Sequence, residues 1–350
     1  MAPVIAALKA ASWADVRVLA TGQHRRLLDQ ALRDFNIVVD DDLDAMREDH
    51  SLTALAARIL GRLDAYFTRD APEFLLAQGD TTTVLATAIA CFYHRIPFGH
   101  VEAGLRTHNL EYPFPEEFNR VVTSVATTLH FSPTERARTN LLQEHIPDAR
   151  IVVTGNTVID ALLLTASRRP SVPYPIEDDA KLILLTAHRR ENFGEPMRAI
   201  FSAVTELAHR FPKLEFVYPV HPNPNVASVA YKCLSGQPRV RLCSPLSYPD
   251  LVAVMQRCTL VVTDSGGLQE EAPALGKPVL VLRNETERPE AIDSGVAKLI
   301  GTEEQNIVRE VERLLIDKSA YANMARGISP YGDGHAASRI CEALRRTFKI

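Results

Sequence analysis

Short apolar runs rich in valine, isoleucine and leucine recur along the chain, and stretches with helical periodicity separate them. The first series is VRVLA at Val16, EFLLAQ at Glu73, PFGHVEAG at Pro97, TLHFSP at Thr128 and ARIVVTG at Ala149. A strand that is apolar throughout must be covered by helices on both faces, as in parallel sheets built from strand–helix units. The pattern therefore predicts an α/β protein with doubly wound parallel sheets.

One segment interrupts this pattern and divides the chain. SRRPSVPYPIEDD, residues 167–179, has three prolines and no periodicity, which is typical of a linker. A second series of runs follows: KLILLTAH at Lys181, LEFVYPVH at Leu214, VRLCSP at Val240, CTLVVTDS at Cys258, KPVLVLR at Lys277 and AKLIGT at Ala297. Because single cores rarely grow beyond ~250–300 residues, we predict domains over 1–166 and 167–330, with a helix in 331–350 packing back on the first.

Charge and cysteine content exclude several classes of protein. The net charge is −4 with no basic run, so we expect no nucleic-acid partner. No apolar run reaches the ~18 residues of a membrane span, so we expect no membrane partner. The five cysteines form no CxxC pair and no metal-type spacing with histidine. These features predict a cytoplasmic protein that holds no metal.

Polar residues that directly follow an apolar strand lie at its carboxyl end, where α/β proteins bind ligands. In the first half these are Asp80 of QGDTTT, Glu102 of GHVEAGLRT and, in the next motif, Glu116 of PFPEEFNR. Asp80 could equally be an ordinary N-cap. Glu102 follows a strand that neighbours should bury, and a buried carboxylate is costly unless it is paired or functional.

The second half has three comparable junctions. His188 of TAHRREN stands beside two arginines, which indicates an anion nearby, although a structural histidine is an alternative. His221 of YPVHPNPN lies between prolines, so a rigid turn competes with a ligand contact. In TDSGGLQEE, Ser265, Gly266 and Gly267 precede a helix whose free N–H groups can face a phosphate. We expect Glu270 and Glu271 in the first turn of that helix.

Taken in order, the motifs form a series that resembles one known family. The series is QGDTTT, GHVEAGLRT, PFPEEFNR, VTGNTVIDAL, TAHRREN, YPVHPNPN, TDSGGLQEEAPALGKPVLVLRNETERPEA and PYGDG. It is similar to that of the bacterial, non-hydrolysing UDP-N-acetylglucosamine 2-epimerases. The resemblance implies a glycosyltransferase-B-like fold, in which two Rossmann-type domains face a cleft. It also implies a UDP-sugar substrate, no cofactor, a homodimer and a role in polysaccharide biosynthesis.

The resemblance also implies roles for particular residues. The catalytic residues would be the carboxylates Asp80, Glu102 and Glu116, with His188 near the leaving phosphate. The substrate-binding residues would be Ser265, Gly266 and Gly267 at the diphosphate, Glu271 at the ribose, Arg288 at phosphate, and the segment from Leu246 to Leu251 beside uracil. A second, activating UDP-sugar would be bound by Gln23, His24 and His221.

The implied reaction is reversible epimerisation at C2 by anti elimination of UDP and its re-addition through a glycal. Family members begin with a strand and a GTRPE-like loop, which this sequence, opening MAPV, is expected to lack. Without that loop's arginine, the alternative is a catalytically impaired sugar-nucleotide-binding protein. A hydrolysing epimerase that releases free N-acetylmannosamine is a third interpretation, and no sequence feature favours it.

Overall fold

The computed structural model describes residues 1–22, 25–45 and 51–349. The chain forms two compact units. The first unit comprises residues 1–161 together with 331–350, and the second comprises residues 162–330. The domain boundaries expected from the sequence stay predictions.

Strands and helices alternate through both units. Within the described ranges the strands are β1 Leu19–Ala20, β2 Asp41–Asp42, β3 Leu75–Gln78, β4 Phe98–Val101, β5 Leu129–Ser132, β6 Ile151–Val153, β7 Lys181–Thr186, β8 Leu214–Pro219, β9 Val240–Cys243, β10 Leu260–Thr263, β11 Val279–Val281 and β12 Ala297–Leu299. The helices there are α1 Ala2–Lys9, α2 Arg25–Asp34, α3 Leu52–Arg69, α4 Thr82–His94, α5 Glu116–Ala126, α6 Glu135–Gln143, α7 Thr157–Ser167, α8 Glu195–Arg210, α9 Pro224–Leu234, α10 Tyr248–Arg257, α11 Gly266–Ala274, α12 Pro289–Asp293, α13 Glu304–Ile316, α14 Lys318–Met324 and α15 Ala336–Phe348. None of these helices is long and apolar enough to cross a membrane.

The first unit contains a parallel sheet in the order β3-β4-β5-β6, and a separate short parallel pair, β1-β2. Alternate residues of the larger sheet enter different apolar clusters. Phe98 packs in a cluster with α3 and α4, whereas Val101 and Phe131 pack in a cluster with α1 and α15. Helices on both faces explain why these strands are apolar throughout. Because β3 and β4 pair in parallel, their carboxyl ends lie side by side at the same end of the sheet.

The second unit, whose residues are all described, contains a parallel sheet in the order β12-β11-β10-β7-β8-β9. Counted from β7, this is the doubly wound order 6-5-4-1-2-3. The direction of winding reverses between β7 and β10, and ligands of such sheets bind beyond the strand ends at this point. His188 follows β7, and the Asp264–Gly267 segment follows β10.

The predicted α/β class with parallel sheets is confirmed, since a strand of the structure lies within each predicted apolar run. The short strand β2 was not predicted. Its residues, Asp41 and Asp42, are both acidic, and no apolar pattern marks them. The predicted linker has no helix or strand between residues 168 and 180.

Candidate functional site

Asp80 and Glu102 lie at the carboxyl ends of the neighbouring strands β3 and β4. Gly79 stands between them: a methyl group placed on its Cα would lie 4.0 Å from Oε2 of Glu102. Glu102 also accepts a hydrogen bond from Nε2 of Gln78, at 3.3 Å. The structure therefore brings these two predicted carboxylates together around one turn.

Glu102 has an unusual backbone conformation, with φ at +68°. This left-handed region is uncommon for residues other than glycine and costs of order 1 kcal/mol or more. Residues held there by the surrounding structure cluster at functional sites. The conformation therefore supports a functional reason for glutamate at this position.

Arg120 of α5 fixes Asp80. Its Nε and Nη2 donate to Oδ2 of Asp80, at 3.0 and 2.6 Å, while Nη1 donates to Glu117, at 2.9 Å. Burial opposes the charge of the guanidinium, but the two carboxylates outweigh it and raise the pKa of Arg120. Asn119 also donates to the backbone carbonyl of Asp80. The first turns of α5 thus hold the β3 turn in place.

The two adjacent glutamates that begin α5 have different environments. Glu117 is fully buried, and its Oε1 accepts from the backbone N–H groups of Thr107 and His108, both at 2.9 Å. Glu116 is partly buried, and its Oε2 has no hydrogen-bond partner among the described residues. Glu117 therefore has the contacts of a structural residue, while one oxygen of Glu116 is left available.

Two buried histidines lie on the neighbouring strands β4 and β5. His100 and His130 are partners in the β4–β5 register, and both are fully buried. Burial lowers the pKa of His100 to about 4 and that of His130 to about 3. A neutral His100 can donate from Nε2 to the carbonyl of Gly79, 2.7 Å away. Both imidazoles are therefore uncharged at neutral pH.

In the second unit, His188 lies at the end of β7 and stacks on His221. Their ring centroids are 5.5 Å apart and the ring planes differ by 13°. Nδ1 of His188 is 3.2 Å from Oδ1 of Asp264, which follows β10. Burial lowers the pKa of His188, and Asp264 opposes that effect. The structure thus places His221 beside the predicted catalytic histidine.

The Ser265–Gly267 segment forms the N-terminus of α11. Ser265 is the N-cap residue, but its side chain makes no capping hydrogen bond, so it does not occupy the first N–H groups of the helix. The expectation that Glu270 and Glu271 lie in the first turn is wrong. The helix already begins at Gly266, which places both glutamates in its second turn.

Arg288 packs against this helix N-terminus. A methyl group on Gly266 would collide with its guanidinium, so a larger residue there would displace Arg288 from this position. Nε of Arg288 donates to Glu270 at 2.6 Å, and its Nη1 contacts Glu287. Burial raises the pKa of Glu287, but Arg288 and Arg283 outweigh burial and lower it to about 2. Arg288 thus lies in a buried ionic network next to the glycines.

Glu271 is buried one turn further along α11 and faces the predicted uracil segment. The hydroxyl of Tyr248, inside the segment from Leu246 to Leu251, donates to Oε1 of Glu271 at 2.6 Å. Burial raises the pKa of Glu271 to about 7, and the Tyr248 hydrogen bond partly offsets that rise. The predicted ribose and uracil contacts are therefore neighbours in the structure.

Two predicted residues lie outside the described part of the chain: Gln23 and His24. Of the candidate activating site, only His221 is described. Among the described residues, no group of three or more histidine, cysteine, aspartate or glutamate side chains is arranged to hold a metal ion.

Several residues of these clusters had no role in the sequence-based site. They are Arg120, Glu117 and Asp264, whereas Tyr248 was included only as part of the segment from Leu246 to Leu251. Arg120 and Glu117 belong to the PFPEEFNR motif, and Asp264 belongs to TDSGG. The sequence alone does not show which carboxylate is in contact with a given guanidinium or imidazole. The position of Asp264, directly after an apolar strand, was the strongest available signal.

The comparisons with known proteins agree over the whole length of the chain. A family model described as UDP-N-acetylglucosamine 2-epimerase matches residues 6–345. The UDP-N-acetylglucosamine 2-epimerase of Yersinia pestis is 49% identical, and the match covers 99% of this chain and 94% of that protein. The enzyme of the same name from Escherichia coli K12 is 48% identical with the same coverage.

Solved structures give the same result. A UDP-GlcNAc 2-epimerase from Neisseria meningitidis, bound to UDP-GlcNAc, superposes with a TM-score of 0.93 and 44% identity, covering 99% of this chain and 96% of the other. The corresponding protein from Methanocaldococcus jannaschii, in complex with UDP-GlcNAc and UDP, has a TM-score of 0.82 and 28% identity, covering 99% and 95%. The similarity therefore includes both units.

Proposed function

The chain belongs to the UDP-N-acetylglucosamine 2-epimerase family, and we propose that it interconverts UDP-N-acetylglucosamine and UDP-N-acetylmannosamine. The observation that carries this proposal is identity of almost half the residues with enzymes of that name over 99% of the chain. Such similarity favours an active epimerase over a catalytically impaired sugar-nucleotide-binding protein.

The reaction proceeds by elimination and re-addition. A base removes the proton from C2 of the sugar while the bond between C1 and the UDP oxygen breaks, which leaves a C1=C2 double bond in a glycal. A proton then adds to C2 from the opposite face, and the UDP oxygen bonds to C1 again. Two acid–base positions are required, together with negative charge near C1.

The carboxylates of the first unit supply these functions in our proposal. Asp80 and Glu102 lie around Gly79, and Asn119 and Arg120 join Asp80 to the helix that begins at Glu116. Three carboxylates on adjacent turns provide one base, one acid and one group that stabilises positive charge. The buried His100, which contacts Gly79, is uncharged at neutral pH and so adds no positive charge beside them.

The second unit binds the nucleotide in our proposal. The N–H groups at Ser265, Gly266 and Gly267 bind the diphosphate, because a helix N-terminus without a side-chain cap favours anions. Arg288 adds a positive charge beside Gly266. Glu271 accepts from the ribose, uracil lies beside the segment from Leu246 to Leu251, and His188 contacts the leaving phosphate.

An isotope-exchange experiment tests the proposed reaction. The protein is incubated with UDP-N-acetylglucosamine in D₂O, and the sugars are followed by NMR. We expect both UDP-sugars at equilibrium, with deuterium at C2 of each. Release of free N-acetylmannosamine would instead indicate a hydrolysing enzyme, and the absence of exchange under every condition would contradict the proposal.

Matched variants test the assignment of the carboxylates. Glu102→Gln keeps the size of the side chain and removes the charge, so we expect exchange to fall by a factor on the order of 10² or more. Glu135→Gln, on the exposed first turn of α6, is the control and should leave the rate unchanged. Equal exchange rates in the two variants would show that Glu102 has no role in catalysis.

The expected homodimer also belongs to this proposal. Helices α4 and α5 pack together, and they expose large apolar side chains: Phe92 at 66%, Tyr93 at 76%, Phe118 at 46% and Val125 at 80%. Large exposed apolar patches usually mark interaction sites. We propose that a second copy of the chain covers this face.

Light scattering coupled to gel filtration tests the dimer. We expect twice the mass of one chain, and a shift toward the monomer for Val125→Glu. Ile316→Glu is the control, because Ile316 is also a large apolar residue, 64% exposed, but lies on α13. A single-chain mass for the unchanged protein would contradict the homodimer. The cytoplasmic location and the activating site of Gln23, His24 and His221 stay predictions.

A further inference from the structure

Asp264 is a fully buried carboxylate at the end of β10, and the proposed reaction gives it no role. Its Oδ2 accepts three hydrogen bonds, from the backbone N–H groups of His188 and Arg189, at 2.7 and 2.8 Å, and from Nδ2 of Asn192, at 3.0 Å. One oxygen therefore fixes the loop that follows β7. Burying a carboxylate this deeply is costly unless its oxygens have partners, so the second oxygen should also face a partner.

The second oxygen faces the imidazole of His188. Oδ1 of Asp264 lies 3.2 Å from Nδ1 of the ring, as a close ion-pair contact rather than an aligned hydrogen bond. Within the described part of the chain, no protein group hydrogen-bonds Nε2 of His188. If Nδ1 carries a proton toward the carboxylate, Nε2 is the nitrogen that remains for a ligand.

The topology of the sheet explains why these two residues meet. Strands β7 and β10 are neighbours, with Thr186 in register with Thr263. The residues that follow each strand therefore emerge at the same edge, at the point where the winding reverses. Ser265 and Gly266 continue directly from Asp264. The carboxylate thus joins the histidine loop to the start of the helix proposed to bind the diphosphate.

Three groups determine the charge of His188 besides its burial. Asp264 favours the protonated ring, whereas Arg189 and the stacked His221 disfavour it. Burial is the largest influence and lowers the pKa. Asp264 is therefore the group within this set that keeps His188 available as a proton donor.

We propose that Asp264 is a positioning residue, which holds Nδ1 of His188 toward its own carboxylate and so directs Nε2 to the leaving phosphate. This inference rests on the proposed function, in which His188 contacts that phosphate. When the ring is protonated, Nε2 donates to a phosphate oxygen; when it is neutral, the same nitrogen presents a lone pair. Without Asp264 the ring can take the other tautomer.

Asp264→Asn separates this role from a purely structural one. The carboxamide oxygen can still accept from the backbone N–H groups, but the new NH₂ group cannot accept a hydrogen bond from the N–H of Nδ1. Asp160→Asn is the control for the loss of a buried acidic group, because Asp160 is also buried and its Oδ2 and Oδ1 accept from the backbone N–H groups of Ala336 and Ala337, respectively. The chemical change is the same, but His188 is not involved.

Kinetics give the first readout. For Asp264→Asn we expect kcat to fall by about tenfold or more, with KM changed by less than about threefold, because only the orientation and charge of the ring change. The pH limb that reports protonated His188 should move to lower pH, since an attractive negative charge is lost. The double variant with His188→Asn should be no slower than His188→Asn alone.

Histidine NMR gives a readout that does not depend on catalysis, and its first part needs only the unchanged protein. With labelled histidine, the neutral His188 of the unchanged protein should carry its proton on Nδ1, and its pKa should fall in Asp264→Asn but not in Asp160→Asn. A proton on Nε2 in the unchanged protein, or additive losses in the double variant, would overturn the positioning role. If no preparation catalyses exchange but the NMR result holds, the proposed function fails and the Asp264–His188 contact stands.

Discussion

Glu116 and Glu117 are adjacent in sequence but differ in their contacts, so matched substitutions should have opposite consequences. Glu117→Gln removes the charge that faces Arg120 and disturbs the contacts to Thr107 and His108, so the free energy of unfolding should fall by about 2–4 kcal/mol. Glu116→Gln should change it by less than about 1 kcal/mol while abolishing most exchange at C2. Urea unfolding and the D₂O assay measure both. Equal stability losses would contradict the division of roles.

Glu271 should make the stability of the second unit depend on pH. Burial raises its pKa to about 7, from an ordinary value of 4.5. The folded protein therefore holds this proton more tightly than the unfolded chain, and the resulting stabilisation is lost as pH rises from about 5 to about 7. Glu271→Gln should escape this loss, so its stability relative to the unchanged protein should rise by on the order of 1–3 kcal/mol over that range.

Thermal unfolding without ligand, between pH 5 and pH 8, measures this difference. Glu342→Gln on α15 is the control, because it is the same change at a half-exposed helix position. A constant difference between Glu271→Gln and the unchanged protein at every pH would show that Glu271 is already ionised when folded at pH 5.

At the scale of single residues, the sequence predicted which polar residues lie at strand ends better than it predicted their contacts. Asp80, Glu102 and His188 were singled out because they follow strands, and the structure places each at a strand end. The link from Arg120 to Asp80 joins residues 40 positions apart, and that from Asp264 to His188 joins residues 76 apart. Such pairs depend on strand order and register, which one sequence does not display.

Among the elements, a glycine allows the turn that follows β4 to pack closely against α6. Gly104 has φ at +91°, and a methyl group there would collide with the carbonyl of Ala137. Gly104→Ala should therefore reduce the free energy of unfolding by at least about 2 kcal/mol. Gly61→Ala, in α3, should raise it by about 0.5–1 kcal/mol, because nothing lies within 4 Å of the added methyl group. Denaturant unfolding of both variants is the measurement; a tolerated Gly104→Ala would contradict the close packing.

The predicted positions of strands and helices agree with the structure where apolar runs are continuous, and they differ from it elsewhere. The strand β10 lies inside CTLVVTDS, because Val and Leu there are buried on both faces. The strand β2 escaped prediction because its two aspartates form hydrogen bonds with β1 without contributing apolar side chains. The start of α11 was placed too late because glycines are read as loop, yet Gly266 and Gly267 are helical here.

For the whole molecule, the sole tryptophan of the sequence allows the units to be observed separately. Trp13 packs against the apolar cluster of α1 and α15 in the first unit. UDP should stabilise the second unit by about 2.7 kcal/mol at a hundred times its Kd. In urea unfolding, UDP should therefore shift the circular-dichroism transition more than the Trp13 fluorescence transition. Identical shifts would show that the nucleotide stabilises both units together.

The first unit is discontinuous in sequence, since residues 331–350 belong with residues 1–161, whereas residues 162–330 form the second unit without interruption. Domains generally fold as units while the ribosome is still adding residues. The second unit can thus finish folding as soon as it leaves the exit tunnel. The carboxylate-bearing half must wait for α15, whose Ile340 and Leu344 complete its apolar cluster. In translation, the first unit therefore starts before the second and is completed after it.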